Sequence, residues 1–424
     1  MYKIYLMDFN RYKYSSMIVT DYNFTVPLNY CKKEGHKISI FAREIMNEKH
    51  EGKSIPYLIF FQGGPGYESP RPLINSGWIQ RASEEYKVLL LDQRGTGLSS
   101  PIDSNSIGKF SDQELADYLT FFRADNIIRD AEYIRKNLIG DNKWSVLGQS
   151  FGGFCAMHYV SFYPDSLQNV FITGGLPPLD AHPDEIYRAT FRRVIEKNKL
   201  FFKIFPKAKE DMNKIASYLN ENKVALPNGD ILSIKRFQQL GLNLGFSDGM
   251  ASLKFLFERA FVNNQISYSF LKNIFTLQTF DTNPIFTILH EACYAQGFST
   301  NWSAQRILEE YQIFSDNTDD LYLTGEMLFP WMLDHYQSLR PFKNAANILA
   351  EKSDWPHLYD AEVLRKNKIP IKAAVYTNDM YVDRDFSINL AKDIPNTKIW
   401  ETDIYEHNAL RSDGKKILDI LFKL

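Results

Sequence analysis

The sequence predicts an α/β protein in which a doubly wound, mostly parallel sheet carries an inserted, mostly helical segment. Short β-rich runs alternate with helical stretches over residues 1–178, and the same rhythm returns over residues 362–424. Over residues 179–361, apolar residues recur at helical spacing and strands are hard to find. We therefore divide the chain into a core of 1–178 and 362–424 and a helical cap domain of 179–361.

The elements of the core follow from the spacing of apolar residues along the chain. The runs Met17–Thr20, Asn23–Val26 and Lys37–Arg43 predict antiparallel leading strands with one face in water. Further strands, of which the first two are continuous apolar runs typical of the centre of a parallel sheet, are expected at Pro56–Phe61, Lys87–Leu91, Lys143–Leu147, Asn169–Gly174, Ile369–Tyr376 and Thr397–Trp400. Helices of the core are expected at Asp125–Leu138, Phe154–Phe162, Arg384–Ala391 and Lys415–Phe422.

Composition excludes several classes of partner. A formal charge of -2 over 424 residues provides no field that would gather nucleic acid or an anionic membrane, so we expect neither. The three cysteines are far apart and lack metal-ligand spacing, which favours free thiols in a reducing compartment. No signal peptide or membrane-spanning run is evident, so a cytoplasmic protein is expected, with a homo-oligomer left open.

A serine lies where a predicted strand turns into a predicted helix. Gly148-Gln-Ser150-Phe-Gly152 has glycines on both sides of the serine, as a tight elbow with a strained central residue requires. Such an elbow places the hydroxyl above the sheet and directs helix N-terminal amides at a reacting carbonyl. We predict that Ser150 is a nucleophile.

A serine nucleophile needs a base oriented by a carboxylate, and in sheets with this elbow both follow it at the ends of later strands. Asp379 lies three residues past the strand that ends at Tyr376, and His407 follows the last strand. We predict Asp379 as the acid and His407 as the base. Asp383 and Asp385 compete for the acid role, although Asp383 fits a helix N-cap better.

An oxyanion site needs two backbone N–H groups near the developing charge. The predicted donors are Phe151, directly after the nucleophile, and Gly64, with Gly63 as the alternative, in the loop Gln62–Gly66. The next loop, Asp92–Ser99, holds two glycines and an Asp/Arg pair. We expect it to support the rim of the site through its own ionic hydrogen bonds.

Three early motifs, QGGPG, DQRGTGLSSP and GQSFGG, occur in this order, and NDMYVD with Asp379 and YEHNALR with His407 follow them. With them the chain resembles the proline iminopeptidase (prolyl aminopeptidase) family of α/β-hydrolase serine peptidases, in its longer branch with an enlarged cap. The family's first motif usually begins with His, and Gln62 stands there in this chain. The resemblance implies a serine exopeptidase that releases an N-terminal residue, typically proline, from short peptides, and it implies no cofactor.

The resemblance also implies cap carboxylates that bind the free amine of the substrate. Glu291, which precedes Tyr294 by three residues, is similar to the amine-binding glutamate of shorter relatives, and Glu326 is the second candidate. Phe329, Trp331 and Tyr294 could line a pocket for a pyrrolidine ring, with core packing as the equal alternative.

Other readings stay open from the sequence alone. The same residues could hydrolyse esters or amides that are not peptides, and a non-catalytic cleft binder is a third hypothesis. A basic stretch from Arg192 to Lys207 is interpreted as a solvated helix face in preference to a binding patch.

Overall fold

The computed structural model describes residues 8–108, 110–315 and 320–424. Its strands are β1 (Asp8–Tyr14), β2 (Met17–Pro27), β3 (Lys37–Asn47), β4 (Tyr57–Phe61), β5 (Lys87–Leu91), β6 (Trp144–Gln149), β7 (Leu167–Thr173), β8 (Phe261–Val262), β9 (Gln265–Ile266), β10 (Ile371–Tyr376) and β11 (Thr397–Thr402). Nine of them form one sheet in the order β1-β2-β3-β5-β4-β6-β7-β10-β11, and β8 pairs with β9 in a separate ribbon.

The sheet is antiparallel at its leading edge and parallel beyond it. The pairs β1–β2, β2–β3 and β3–β5 are antiparallel. The remaining neighbours, in the order β5, β4, β6, β7, β10 and β11, pair in parallel. Parallel strands need covered faces, and the carboxyl ends of these strands meet at one edge of the sheet. The predicted fold class is confirmed.

The helices are α1 (Gly77–Ala82), α2 (Asp112–Leu119), α3 (Ala124–Ile139), α4 (Phe151–Phe162), α5 (Pro183–Ile204), α6 (Pro206–Glu221), α7 (Ile234–Gln238), α8 (Gly249–Phe257), α9 (Tyr268–Leu277), α10 (Pro284–Leu289), α11 (Ser303–Leu308), α12 (Met332–His335), α13 (Lys343–Glu351), α14 (Ala361–Arg365), α15 (Arg384–Asp393), α16 (Ala409–Ser412) and α17 (Gly414–Lys423). In the part of 179–361 that the structure describes, the regular elements are α5 to α13, several short 3-10 helices and the β8–β9 ribbon. The predicted domain boundaries stay a prediction.

Side chains along β4 point alternately to the two faces of the sheet, and helices cover both faces. Ile59 and Phe61 pack in one buried cluster with Ile127 of α3. Phe60, facing the other way, packs in a second cluster with Trp78 of α1. Side chains of successive strand residues point to opposite faces, so one continuous apolar run serves both layers.

The basic stretch lies on α5, except for Lys207 at the start of α6, and its prediction as a solvated face is wrong in part. Lys199 is largely exposed and pairs with Glu196 on the same helix at 3.0 Å. Lys197, by contrast, is buried and its ammonium is ion-paired with Glu406 of the core. The ammonium of Lys197 is buried here because it is paired with the half-buried Glu406 carboxylate.

In the described ranges, none of the helices combines the length and the apolar character that crossing a bilayer would require. Cys31, Cys155 and Cys293 are all free, as predicted.

Candidate active site

Ser150 sits on a strained turn between β6 and α4. Its φ of 54° and ψ of -125° lie in a region that residues with a side chain rarely adopt. Backbone hydrogen bonds hold it there: its N–H donates to Thr173 O at 3.0 Å, and Gly153 N donates to Ser150 O at 2.7 Å. A conformation of this kind costs about 1–3 kcal/mol, and it persists where the surroundings fix it, commonly at functional sites.

Gly152 is required because α4 starts directly against the central strand β4. A Cβ at Gly152 would lie 1.9 Å from Phe61 O, closer than atoms can approach. The glycine therefore lets the helix begin beside the sheet, with the N–H of Phe151 free of an intrahelical acceptor. This leaves that N–H available at the position predicted for an oxyanion donor.

Asp379 and His407 form a direct hydrogen-bonded pair at the carboxyl edge of the sheet. Asp379 Oδ1 accepts from Tyr381 N at 2.8 Å and Val382 N at 3.1 Å, so the carboxylate is fixed by its own loop. Its Oδ2 lies 2.7 Å from His407 Nδ1. An ionised carboxylate can only accept, so Nδ1 carries the proton and Nε2 is left as a base.

Electrostatics around the imidazole favour its protonated form. Burial opposes the charge on His407, but the carboxylates of Asp379, Glu326 and Glu406 together outweigh burial, and the pKa of His407 is raised above its usual value of about 6.5. Asp383 is instead the N-cap of α15, accepting from Asp385 N at 2.9 Å, and it also binds Arg193 at 2.9 Å. Of the three acidic candidates, Asp379 contacts the imidazole.

Ser150 and His407 line one cavity of about 430 Å³ between core and cap. The other lining residues come from the core loops and from the cap: Phe60, Gln62, Gly63, Gly64, Tyr67, Glu68, Pro70, Trp78, Gln149, Leu242, Asn243, Phe246, Leu277, Thr279, Phe286, Glu326, Tyr381, Asn408, Leu410 and Arg411. This volume lies within the range of small-molecule sites.

The predicted oxyanion loop lies against the nucleophile. A Cβ at Gly63 would come within 3.0 Å of Ser150 Cβ, which shows how closely the two backbones approach. Gly63 and Gly64 both line the cavity beside Ser150. Both glycines therefore remain candidates, and the choice of Gly64 over Gly63 as the oxyanion donor stays a prediction.

Glu291 is placed away from the cavity, which contradicts its predicted part in amine binding. Its two oxygens accept from Ser303 N at 3.0 Å and Ala304 N at 2.8 Å at the start of α11. Burial raises the pKa of Glu291, and these backbone donors oppose the shift. Glu291 is a buried cap of a helix N-terminus, and spacing relative to Tyr294 cannot reveal that.

Glu326 is the cap carboxylate that lines the cavity with Ser150 and His407. Its Oε2 lies 3.5 Å from Nε2 of His290, and Nδ1 of His290 meets the Tyr187 hydroxyl at 3.2 Å. Sequence reasoning missed His290 as the neighbour of Glu326. The position of this histidine directly before Glu291 does not indicate that it contacts Glu326, which lies 36 residues farther along the chain.

The aromatic lining differs from the set named from the sequence. Phe329 and Trp331 line a separate surface pocket, and Tyr294 packs edge-on against Phe154 at 5.8 Å. In the cavity that Ser150 lines, the apolar walls are instead Phe60, Tyr67, Trp78, Leu242, Phe246, Leu277, Phe286, Tyr381 and Leu410. Core packing is the outcome for Tyr294.

The loop after β5 is held partly by its own bonds, as Leu98 N donates to Asp92 Oδ2 at 2.9 Å, and partly by partners outside it. Asp92 accepts from Arg71 at 2.8 and 2.6 Å, and Arg94 donates to Asp130 of α3 at 2.7 and 2.6 Å. The expected pairing of Asp92 with Arg94 is therefore wrong. Gln93 donates to Gln62 O at 2.9 Å and so ties this loop to the glycine loop.

The cap is bonded to the core on both sides of His407. Glu406 pairs with Lys197 of α5, and Asn408 Oδ1 accepts from the N–H and the hydroxyl of Ser247, both at 2.9 Å. The loop that carries the imidazole is thus held by two separate parts of the cap.

Within the described ranges, no group of three or more His, Cys, Asp or Glu side chains is arranged to hold a metal ion.

Comparison with known proteins agrees with this architecture. A family described by the alpha/beta hydrolase fold matches residues 56–245, which run from β4 through the elbow into the cap. The fold and this match define the chain as an α/β hydrolase.

Relatives that match almost the whole chain identify its family within the α/β hydrolases. The chain is 46% identical to a proline iminopeptidase of Aeromonas sobria over 95% of both proteins. It is 35% identical to a proline iminopeptidase of Aspergillus aculeatus over 96% of this chain and 93% of that protein. A tripeptidyl aminopeptidase of Streptomyces lividans is 26% identical over 36% of this chain and 35% of its own length. The chain belongs to the proline iminopeptidase family, as the motifs predicted.

Proposed function

We propose that this chain is a serine aminopeptidase that releases the first residue, proline foremost, from short peptides with a free N-terminus. The observation that carries the proposal is the common cavity: Ser150, His407 and the Glu326 carboxylate line it together, and His407 is held by Asp379. The names of the full-length relatives support the same substrate class.

The proposed reaction begins when the Ser150 hydroxyl attacks the carbonyl of the first peptide bond while Nε2 of His407 takes its proton. The N–H groups of Phe151 and Gly64 then stabilise the oxyanion of the tetrahedral intermediate. His407 returns the proton to the leaving amine, and an acyl-enzyme remains on Ser150. Water, activated by the same imidazole, releases the amino acid.

Specificity for a free N-terminus is assigned to Glu326. Its carboxylate faces a cavity whose walls are largely apolar, where its attraction for an ammonium is stronger than in water. A blocked or internal peptide bond would leave this carboxylate without a partner, which disfavours endopeptidase action. Tyr67 and Phe286, whose rings meet edge to face at 5.3 Å, offer apolar surface for a pyrrolidine ring.

A panel of aminoacyl p-nitroanilides tests the proposal. We expect proline p-nitroanilide to have the highest kcat/KM, and Ser150→Ala to lower kcat by about 10⁴-fold or more while the circular dichroism spectrum is unchanged. Activity retained in Ser150→Ala would overturn the role of the serine.

A matched pair of variants separates an aminopeptidase from an esterase or amidase of the same fold. Glu326→Gln should lower kcat/KM for proline p-nitroanilide about 10–100-fold more than kcat/KM for p-nitrophenyl acetate, because the ester has no ammonium to lose a charged partner. Glu291→Gln is the control and should not change the ratio of the two. Equal losses on both substrates in Glu326→Gln would favour the esterase or amidase.

A further inference from the structure

The catalytic cavity is lined by two carboxylates and one guanidinium. Its carboxylates are Glu326 and Glu68, and Glu68 is already paired with Arg71 at 2.8 Å. Among the described residues that line the cavity, Arg411 is the one Lys or Arg side chain. The cavity therefore presents one acidic group suited to an ammonium and one guanidinium whose function the reaction above does not use.

Arg411 lies one helical turn beyond the catalytic base. It belongs to α16, which begins two residues after His407, and it is solvent-exposed at the cavity. Its guanidinium carbon lies 5.0 Å from the ring centre of Phe246, a cap residue that lines the same cavity. Ion pairs within the described ranges do not include Arg411, so the ring contact orients it without neutralising its charge.

The chemistry of the imidazole indicates which part of a substrate meets this segment. His407 must reach the leaving nitrogen to protonate it, so the first residue of the departing peptide lies beside His407. Asn408, Leu410 and Arg411 follow His407 directly and line the cavity with it. Asn408 Oδ1 is already bonded to Ser247, which leaves the amide NH₂ of Asn408 to donate.

Resting on the proposed function, we infer that Arg411, with the amide of Asn408, forms a subsite for the C-terminal carboxylate of the leaving amino acid. Dipeptides with a free carboxylate are then the preferred substrates, since Glu326 binds one end and Arg411 the other. An arginine suits this role because its planar donors match the two oxygens of a carboxylate. A longer leaving peptide places its carboxylate farther from Arg411 and therefore gains less binding energy from this contact.

Three substrates test the subsite: Pro-Ala, its C-terminal amide and proline p-nitroanilide. The wild-type protein should cleave Pro-Ala with a kcat/KM about tenfold above that of the amide, the size expected for one charge-assisted hydrogen bond. Arg411→Met, which keeps apolar contact with Phe246, should remove this preference by lowering the rate on Pro-Ala most. Arg411→Lys should restore part of it, and Arg365→Met, an exposed arginine outside the cavity, should change none of the three rates.

Equal rates on Pro-Ala and its amide in the wild type would overturn the subsite, as would an Arg411→Met variant that slows all three substrates equally. Both results require that proline p-nitroanilide is still cleaved. Failure to cleave that arylamide would instead overturn the proposed function itself, together with the subsite that rests on it.

Discussion

Replacing Asp379 by Asn tests the geometry of the site most directly. Asp379 Oδ1 accepts two backbone hydrogen bonds, from Tyr381 N at 2.8 Å and Val382 N at 3.1 Å. In Asp379→Asn the amide oxygen keeps both of these bonds, so the NH₂ group has to face His407 Nδ1. Two donors cannot share a hydrogen bond, and Nδ1 must become the acceptor. The proton then moves to Nε2, where it blocks the base that Ser150 needs.

The size of the effect follows from the tautomer. In serine proteases with the same triad, this substitution lowers kcat by about 10⁴-fold, which corresponds to a barrier increase of about 5 kcal/mol. The free energy of unfolding should change by less than about 1 kcal/mol, because the side chains have the same shape and the two backbone bonds remain.

The pH profile supplies a second measurement. The base works when it is deprotonated, and the pKa of His407 is raised by Asp379 against the opposing effect of burial. Wild-type kcat/KM for proline p-nitroanilide should therefore rise with pH through a value above about 6.5. In Asp379→Asn the main raising charge is lost while burial remains, so the midpoint of the pH profile of the residual activity should shift to lower pH.

A control variant identifies the acid among its neighbours. Asp383→Asn keeps an N-capping side chain on α15 and should retain most of the activity. If Asp379→Asn kept more than about a tenth of the wild-type kcat with an unshifted profile, the tautomer argument would be wrong. A larger loss in Asp383→Asn would move the acid role to that residue.

Two further substitutions probe ion pairs of the core and of the loop that carries His407. Arg94→Met leaves Asp130 charged and buried, and should lower the free energy of unfolding by about 3–5 kcal/mol in urea titrations, with the double change Arg94→Met/Asp130→Asn recovering part of it. Lys197→Met removes the partner of Glu406 and should lower kcat about tenfold or more, because small displacements of a catalytic group are costly. The exposed Lys199→Met on the same helix is the control, and equal activity of both lysine variants would refute a link between this pair and the catalytic loop.

Much of the core could be predicted because its strands are buried on both faces. The apolar run Lys87–Leu91 coincides with β5, because a polar residue or a turn bounds the run at each end. The pair Asp21 and Tyr22 suggested two leading strands, whereas β2 is continuous. Asp21 is bonded to Arg43 on the neighbouring strand at 2.6 Å, and this cross-strand pair removes the cost of a charge within the sheet. The polar edge strand β1 carries no such apolar signal and was missed.

For the site as well, the residues of the core could be predicted from the sequence and those of the cap could not. Ser150, Asp379 and His407 follow strand ends, so the order of the strands brings them to one edge of the sheet. The cap offers no comparable rule: Glu291 and Glu326 are both helical-region glutamates, and only packing decides that one caps α11 while the other faces the cavity. The spacing to Tyr294 favoured Glu291, which does not line the cavity, and amine binding by Glu326 stays a prediction.

The bonds from Lys197 and Ser247 to the residues flanking His407 limit how this enzyme can admit a substrate. A cap that moved as a rigid body would therefore also displace His407, so such a movement would be coupled to the position of the imidazole. Grafting a foreign cap to change selectivity would consequently disturb turnover as well, unless both attachment points were transplanted with it.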